Sequence, residues 1–426
     1  MRATFGIFLL VTLLFAPRTG RAAGFLIFEG GAKALGMGGA FTARADDPSA
    51  IFFNPAGLSQ VDGVQAYGGF TLIFTGTDFS GVDPDPGFGT TGETGTLLFS
   101  PINAYLSWQF DPKVTVGIGL FNMFGLGQDW KNPSTFIGRH IATKIDLRTF
   151  FVNPTVAWQP IDDVSFGFGL DLVYATVDLR RYVQQWDPNG QSFLDIGTTR
   201  LEGDNGLDVG WNVGGLYHSP HDVNIGVSFR SQITADVEGP AGFVQVPSGD
   251  PALDQAVAAV FPSNQSVKTT IKLPYIMSLG VAYTGVERWE FEVDFNYVAW
   301  SRFNALVFEF SEDASLNTIR PQNYDDKWSL RTGFGYDVWE ELTLRAGYYF
   351  DPTPQPQLAM SPLLGDITRH GLTGGVGYHA GAVTFDGFML ILFSTDRSTD
   401  GLSDDGYNGT YSSFGNLFGL NVGYKW

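Results

Sequence analysis

Little in this sequence is spaced for covalent chemistry. Its five histidines (His140, His218, His221, His370 and His379) sit mostly at turns and loop edges. Activating a serine would take a histidine beside it on one face of a strand, and no alternating segment shows that pair. The stretch HSPH, His218 to His221, offers two metal ligands in a proline turn, short of the set that zinc uses. The doublets Asp46-Asp47, Asp325-Asp326 and Asp404-Asp405 read more simply as solvated acids. GFG and GIG recur without the helix that a phosphate-binding loop must open. No catalytic residue, cofactor or metal ion is therefore expected. The chemistry on offer is recognition. Lys144, Arg148, Arg230, Arg331 and Arg345 stand in alternating segments, and each could pair a carboxylate. Asp171, Asp208, Glu290, Glu292 and Asp294 share the inward face expected of them, so ion pairs across the fold compete for those cations. Apolar side chains gather at Phe25, Leu26, Phe28 and Leu35, and again at Leu253, Val257, Val260 and Phe261.

The elements that must position these groups are strands. Val164-Phe166-Phe168-Leu170-Leu172-Tyr174 oppose Ser165, Gly167, Gly169 and Asp171, and Trp289-Phe291-Val293-Phe295-Tyr297 oppose Glu290, Glu292, Asp294 and Asn296. One face is apolar and the other small, polar or charged. Only 16% of the chain is charged, against about one-quarter in an average soluble domain. Beyond the N-terminus no apolar run is long enough for a helical span. Short alternating runs in an apolar, weakly charged chain mark a transmembrane β-barrel, whose strands show one face to lipid and the other to the lumen. The first 22 residues, with Arg2 before an apolar run from Phe5 to Ala16 and the small residues Gly20 and Ala22, read as a signal peptide removed before Ala23. Removing its three arginines takes the formal charge from −19 to −22, which argues against nucleic acid as a partner. No cysteine is present, in keeping with export through an oxidising compartment.

Tight links at 111–113, 160–163, 219–222, 284–287, 337–340 and 379–382 alternate with long ones near 76–95, 126–140, 183–203, 238–267, 311–323, 352–366 and 396–411. Six short and seven long links imply about 14 strands, with periplasmic turns and extracellular loops. Trp108, Trp158, Tyr217, Trp289, Trp339, Tyr378 and Trp426 flank the short turns as one aromatic girdle, and Trp130, Trp300, Trp328 and Tyr348 fall near the other. The last strand, ending FGLNVGYKW, should pair with the first, near Val64 to Phe74, and close the ring. In KIDLRTFFVNPTVAW the apolar phase switches from odd to even numbers, which predicts a bulge at Thr149 to Phe151.

Residues 23–62 do not alternate. They are glycine-rich, with Asp47-Pro48 and Asn54-Pro55 as helix starts. Irregular backbone cannot face hydrocarbon, so this segment should plug the lumen, with the barrel proper spanning 63–426. The AGF start, DDPSAIFFNPAGL with its Asn54-Pro55-Ala56, stretches such as KLPYIMSLGVAY, and the Tyr-x-Trp ending resemble the FadL-type outer-membrane transporters of hydrophobic compounds. The resemblance runs over essentially the whole mature chain. It implies a 14-stranded barrel, a small N-terminal hatch, and uptake of long-chain fatty acids or aromatic hydrocarbons. It also implies sideways exit through a gap at a kinked third strand, here near Gly117 to Gly127 with Asn122 interrupting the pairing. Phe25 is the pocket residue that it implies.

The expected protein is an all-β, multi-pass barrel of the Gram-negative outer membrane, a monomer without catalysis. It would capture a greasy solute on an external groove of Leu253, Val257, Val260 and Phe261. It would pass the solute to a pocket of Phe25, Leu26, Phe28 and Leu35, move a hatch hinged or anchored at Asn54, Pro55 and Ala56, and release it laterally by Asn122. Arg148, Arg230, Arg331 and Arg345 are the candidate partners of a substrate carboxylate. Membrane lipid, lipopolysaccharide and the barrel-assembly machinery are the expected partners. A polar-solute porin and an adhesin or structural barrel are the alternatives.

Overall fold

The computed structural model describes residues 24–187 and 191–426. The signal-peptide expectation lies outside them. Fourteen antiparallel strands form one closed ring. In chain order they are β1 Val64–Gly81, β2 Ile102–Asp111, β3 Val114–Phe121, β4 Lys144–Ile161, β5 Val164–Asp187, β6 Asp208–His218, β7 Val223–Arg230, β8 Ile276–Val286, β9 Trp289–Val298, β10 Lys327–Trp339, β11 Leu342–Asp351, β12 Arg369–Ala380, β13 Val383–Ser394 and β14 Gly409–Lys425. Closure comes from β14 on β1, in register from Gln65 opposite Lys425 to Gly81 opposite Gly409. The alternation holds: on β5, Phe166 is 50% exposed while Ser165 and Asp171 are 0%. Trp108, Trp158, Trp339 and Trp426 are exposed as a girdle beside the short turns.

Several walls continue past the lipid band. Much of the sequence read as loops at 183–203 and 238–267 is strand instead, Ser192–Asp204, Ile233–Gln245 and Gln265–Leu273, extending the ladder above β5 to β8. Above them lies an apolar roof. Trp130 stacks on Phe136 at 4.5 Å and donates its indole N–H to the Pro362 carbonyl at 2.8 Å, and Phe79 stacks on Tyr407 at 4.3 Å. Trp130 is buried in this roof and Trp300 lower down against Phe25, Phe124 and Tyr324, 1% and 2% exposed, so neither belongs to the outer girdle.

The bulge expected in β4 is absent. Pairing to β5 runs without a slip from Lys144 opposite Arg180 to Val152 opposite Leu172. Ile145, Leu147, Thr149, Phe151 and Asn153 all point inward and are buried. What inverts is the surroundings. Above Thr149 the outside is aqueous and the inside apolar, so Lys144, Asp146 and Arg148 face out and Ile145 and Leu147 face in.

Residues 24–61 fill the lumen, with α1 (Ala32–Gly36), α2 (Ala50–Phe53) and a 3-10 turn (Pro55–Gln60). Among them only Asp46 is exposed. The lumen glycines make the seat. A Cβ on Gly226 would lie 2.1 Å from the Thr42 carbonyl oxygen, one on Gly333 2.3 Å from that of Met37, and one on Gly167 2.2 Å from Pro55. Polar bolts complement the shape. Asp294 accepts from the backbone N–H groups of Phe41 and Thr42, each at 2.9 Å, and Glu292 from that of Ala43 at 2.6 Å. Two rungs along the same strand, Glu290 pairs with Arg44 at 2.5 Å. A plug of irregular backbone thus satisfies its donors on carboxylates that the strand period aims at it.

Candidate functional site

The barrel wall is broken in one place that the hatch itself repairs. β3 pairs with both neighbours as far as Phe121. Asn122, Met123 and Phe124 leave the ladder, and the chain resumes as Gly125–Asp129, pairing with β4 alone. Side chains replace the lost bonds. The Asn122 carbonyl accepts from the Ile102 N–H at 2.9 Å and its amide donates to the Thr149 carbonyl at 2.6 Å. The Thr149 hydroxyl donates to the Phe124 carbonyl at 2.7 Å and accepts from its N–H at 3.0 Å. The N-terminal segment lies along the break: the Ile27 N–H donates to Met123 at 2.8 Å, and the Gly125 N–H to Phe25 at 3.0 Å.

Phe25 is thereby fixed in an aromatic box, with ring centroids 4.8 Å from Trp300, 5.1 Å from Phe303 and 6.1 Å from Phe124. The preceding residue has to be glycine. Gly24 has φ +65° and a Cβ there would lie 2.4 Å from the Trp300 ring. Its N–H donates to Asp366 at 2.7 Å, and its carbonyl accepts from Arg369 at 3.3 Å.

A cavity of about 400 Å³ adjoins this point. Its inner lining includes Phe25, Leu26, Ile73, Leu392 and Leu417, and its far end reaches Asp146, Arg148 and Phe150 of β4, which face outward. It therefore reaches into the wall beside the break. A second, smaller cleft of about 50 Å³ is lined by Leu126, Leu147, Leu179, Ile271 and Phe308, nearly all apolar, and Phe25 and Leu364 border both. Glu29 and Arg369 bring charge to the larger cavity. Burial pushes the Glu29 carboxyl up, against the pull of Arg331 and Arg369.

The residues singled out in the sequence separate into groups. Phe25, Leu26 and Asn122 line the cavity. Phe28 packs on Phe52 and Phe53 within the hatch, and Leu35 is 1% exposed there. Asn54 caps the Pro55 turn, accepting from Ala56 N–H at 3.1 Å and donating to the carbonyls of Thr42 at 2.7 Å and Gly215 at 3.2 Å. That seats Asn54, Pro55 and Ala56 against β5 and β6. Asp250 caps the helix α3, Pro251–Ala258, as expected of an Asp-Pro start. Val257 is buried, the Phe261 ring packs on Gly197, and Val260 is 80% exposed. Leu253, Val257, Val260 and Phe261 line neither cavity.

Of the lumen arginines, Arg230 and Arg331 clamp the hatch and Arg345 pairs within the wall. Arg230 pairs with Asp171 and donates to the carbonyls of Ile51 at 3.3 Å and Phe52 at 3.1 Å. Arg345 pairs with Asp386 at 2.6 Å. Arg331 lies 3.8 Å from the Phe28 ring and donates to the Gly38 carbonyl at 3.1 Å. Arg148 is not in the lumen: it faces outward and pairs with Asp146 at 2.6 Å. Trp300, Phe303, Asp366 and Arg369 were not among the expected site residues. A tryptophan near a strand end looks like a girdle residue, and Asp366 stands in an irregular link with Arg369 at the very start of β12.

A model of the family described as outer membrane protein transport protein (OMPP1/FadL/TodX) matches residues 13–426. The chain is 24% identical over 438 residues to a long-chain fatty acid transport protein of Escherichia coli O6:H1, covering 95% of this chain and 94% of the relative. Its fold is similar to that of a Pseudomonas aeruginosa FadL homologue (TM-score 0.82, 19% identity, 95% and 100% of the two chains). It is also similar to the Pseudomonas putida toluene transporter TodX (TM-score 0.72, 18% identity, 93% and 98%).

Proposed function

Since the chain belongs to the outer membrane protein transport family OMPP1/FadL/TodX, a family of transport proteins of the outer membrane, we propose that it carries hydrophobic molecules, long-chain fatty acids or aromatic hydrocarbons, from the cell surface into the outer leaflet. Transport is passive. The solute enters from the extracellular side, rests against Phe25 and Leu26, and leaves sideways past Asn122 rather than down the barrel axis. The observation that carries this reading is the cavity that begins at Phe25 and ends among the outward-facing side chains of β4. The movement it requires is a shift of residues 24–27, which hold the break shut through backbone bonds. Leu253, Val257, Val260 and Phe261 remain candidates for first capture, with Val260 the most accessible of the four.

Filling the cavity tests the route. A Cβ on Gly125 already lies 2.5 Å from Ile27, so Gly125→Trp obstructs the passage. Uptake of labelled oleate and toluene by a deletion strain carrying this variant is expected to fall to the empty-vector rate, with normal heat-dependent gel mobility of the barrel. Undiminished uptake of both would refute lateral release. Removal of residues 24–62 separates the porin alternative: a plugged transporter gains ion conductance, and an open porin barely changes.

A further inference from the structure

The lateral passage is not open in this conformation, and one side chain outside the hatch lies across it. The segment Leu97–Phe99 pairs with β1 on one side only, with Phe99 opposite Ile73 and Leu97 opposite Thr75. Its other edge faces the displaced piece Gly125–Asp129, to which no ladder joins it among the described residues. Leu98 is 58% exposed and opposes the outward residue Phe74, while Gly127 pairs with Asp146, so this unpaired edge lies at the upper border of the lipid band, where apolar and charged outward residues meet. An unpaired strand edge is a liability, and one kept beside the passage calls for a use.

Phe99 spans the interval. Its ring lies where a side chain on residue 127 would be, 2.1 Å from a Cβ built on Gly127, and Gly127 is the ladder partner of Asp146 at the outer end of the cavity. The segment is held to β1 along its length, the Thr94 N–H donating to the Thr77 carbonyl at 3.0 Å and Leu97–Phe99 pairing with Ile73 to Thr75, and only its other edge is unjoined. Above, the Lys131 N–H donates to the Glu93 carbonyl at 2.9 Å and the two side chains pair at 3.0 Å, both about half exposed. Below, the Thr71 N–H donates to the Pro101 carbonyl at 3.0 Å. Proline at 101 removes one ladder donor.

We propose that Phe99 is the door of the lateral passage, closing on the bare backbone of Gly127, and that it opens where the unjoined edges of Leu97–Phe99 and Gly125–Asp129 part. This rests on the lateral-release reading. The door would admit only solutes able to replace an aromatic ring on an apolar surface, so its size and shape set which hydrophobic molecules leave quickly.

Three variants test it, in whole cells of a deletion strain supplied with labelled oleate or toluene, with barrel assembly checked by gel mobility. Phe99→Ala removes the door. Gly127→Ala adds the one atom that the ring excludes and pushes the door off its seat. Both are expected to raise the initial uptake rate on the order of tenfold, as when a minor open state becomes the major one. A Glu93→Cys, Lys131→Cys pair bridged by a short bis-maleimide is expected to hold uptake near background, while the unbridged pair transports. If Phe99→Ala and Gly127→Ala leave the rate unchanged or lower it while Gly125→Trp abolishes uptake, the door is refuted and lateral release stands. If Gly125→Trp also transports normally, both fall together.

Discussion

The hatch is held chiefly by donors that would be orphaned without the barrel, and Asp294 is the place to test that. Its carboxylate accepts two buried N–H groups, those of Phe41 and Thr42, each at 2.9 Å. Asp294→Ala leaves both without a partner in a site 1% exposed. An unsatisfied buried donor costs about 1–3 kcal/mol, so two cost about 2–6 kcal/mol. Removing one of two neighbouring buried carboxylates also relieves its repulsion of Glu292, which offsets part of that loss. A net weakening of about 3 kcal/mol raises the ratio of unseated to seated hatch about a hundredfold. Planar-bilayer recording reads this directly as brief conductance steps whose frequency rises in the variant. Asp294→Asn keeps one acceptor oxygen and should fall between the two, near 1 kcal/mol. Gly226→Val, which drives a side chain into the Thr42 carbonyl, should reproduce the alanine result from the steric side. If Asp294→Ala stays as silent as the wild type while Gly226→Val opens, the carboxylate ladder is not what seats the plug.

Three other outcomes are expected. Burial pushes the Asp47 carboxyl up to about 6, Lys33 opposing, so the seated hatch holds that proton more tightly than the loose one. Seating should therefore weaken by up to about 3 kcal/mol as pH rises from about 4 to about 6 and level off beyond, visible as more frequent conductance steps, and Asp47→Asn should abolish the dependence. Gly24→Ala meets both a left-handed backbone and the Trp300 ring, and should raise the Kd for oleate, followed by tryptophan fluorescence in detergent, by about tenfold. Arg230→Ala strands the buried Asp171 and two hatch carbonyls, and should cost about 3–5 kcal/mol in urea unfolding while lowering oleate and toluene uptake alike. A loss confined to oleate would instead make Arg230 a carboxylate receptor.

The barrel was legible because lipid enforces a period of two. On β5 nothing but the alternation of Phe166, Phe168 and Leu170 with Ser165, Gly167 and Gly169 was needed to tell the faces apart. The same rule misled where its premise ends. Above Thr149 the inside of the barrel is the apolar side, so an unbroken strand looked like a bulged one. Trp300 looked like a girdle residue and is the wall of the Phe25 box. The arginines could be placed in the lumen at Arg230, Arg331 and Arg345, but their partners Asp171, Gly38 and Asp386 come from other strands or from the hatch. A linear pattern does not reveal who meets across a lumen. Phe99 was hidden more thoroughly, in a three-residue strand whose only signature is the glycine at 127 that it covers.

The two parts of the N-terminal segment are held by different means, and that bears on which of them moves. From Ala32 to Ala56 the chain is clamped by buried groups of the wall: Asn421 on the Ala32 N–H at 3.0 Å, Thr373 on Gly36 and Gly38, Asp294 and Glu292 on 41–43, Arg230 on Ile51 and Phe52. Each clamp reaches a different strand, and glycines of β5, β7 and β10 are cut to its outline. Unseating that body means breaking them together. Residues 24–27 are held by two backbone bonds to the broken strand, by Asp366 and by Arg369. A ligand that fills the Phe25 box competes with ring contacts, each worth about 0.5–1.5 kcal/mol beyond burial, and can displace this short stretch without disturbing the rest. On the proposed lateral route, the body of the hatch would be the floor that denies the solute a way to the periplasm, and residues 24–27 would be its trigger. Locking the body to the wall, by cross-linking a Thr42→Cys, Gly280→Cys pair whose sites are in contact, should therefore leave oleate uptake intact. Tethering Ile27 to the third strand should stop it.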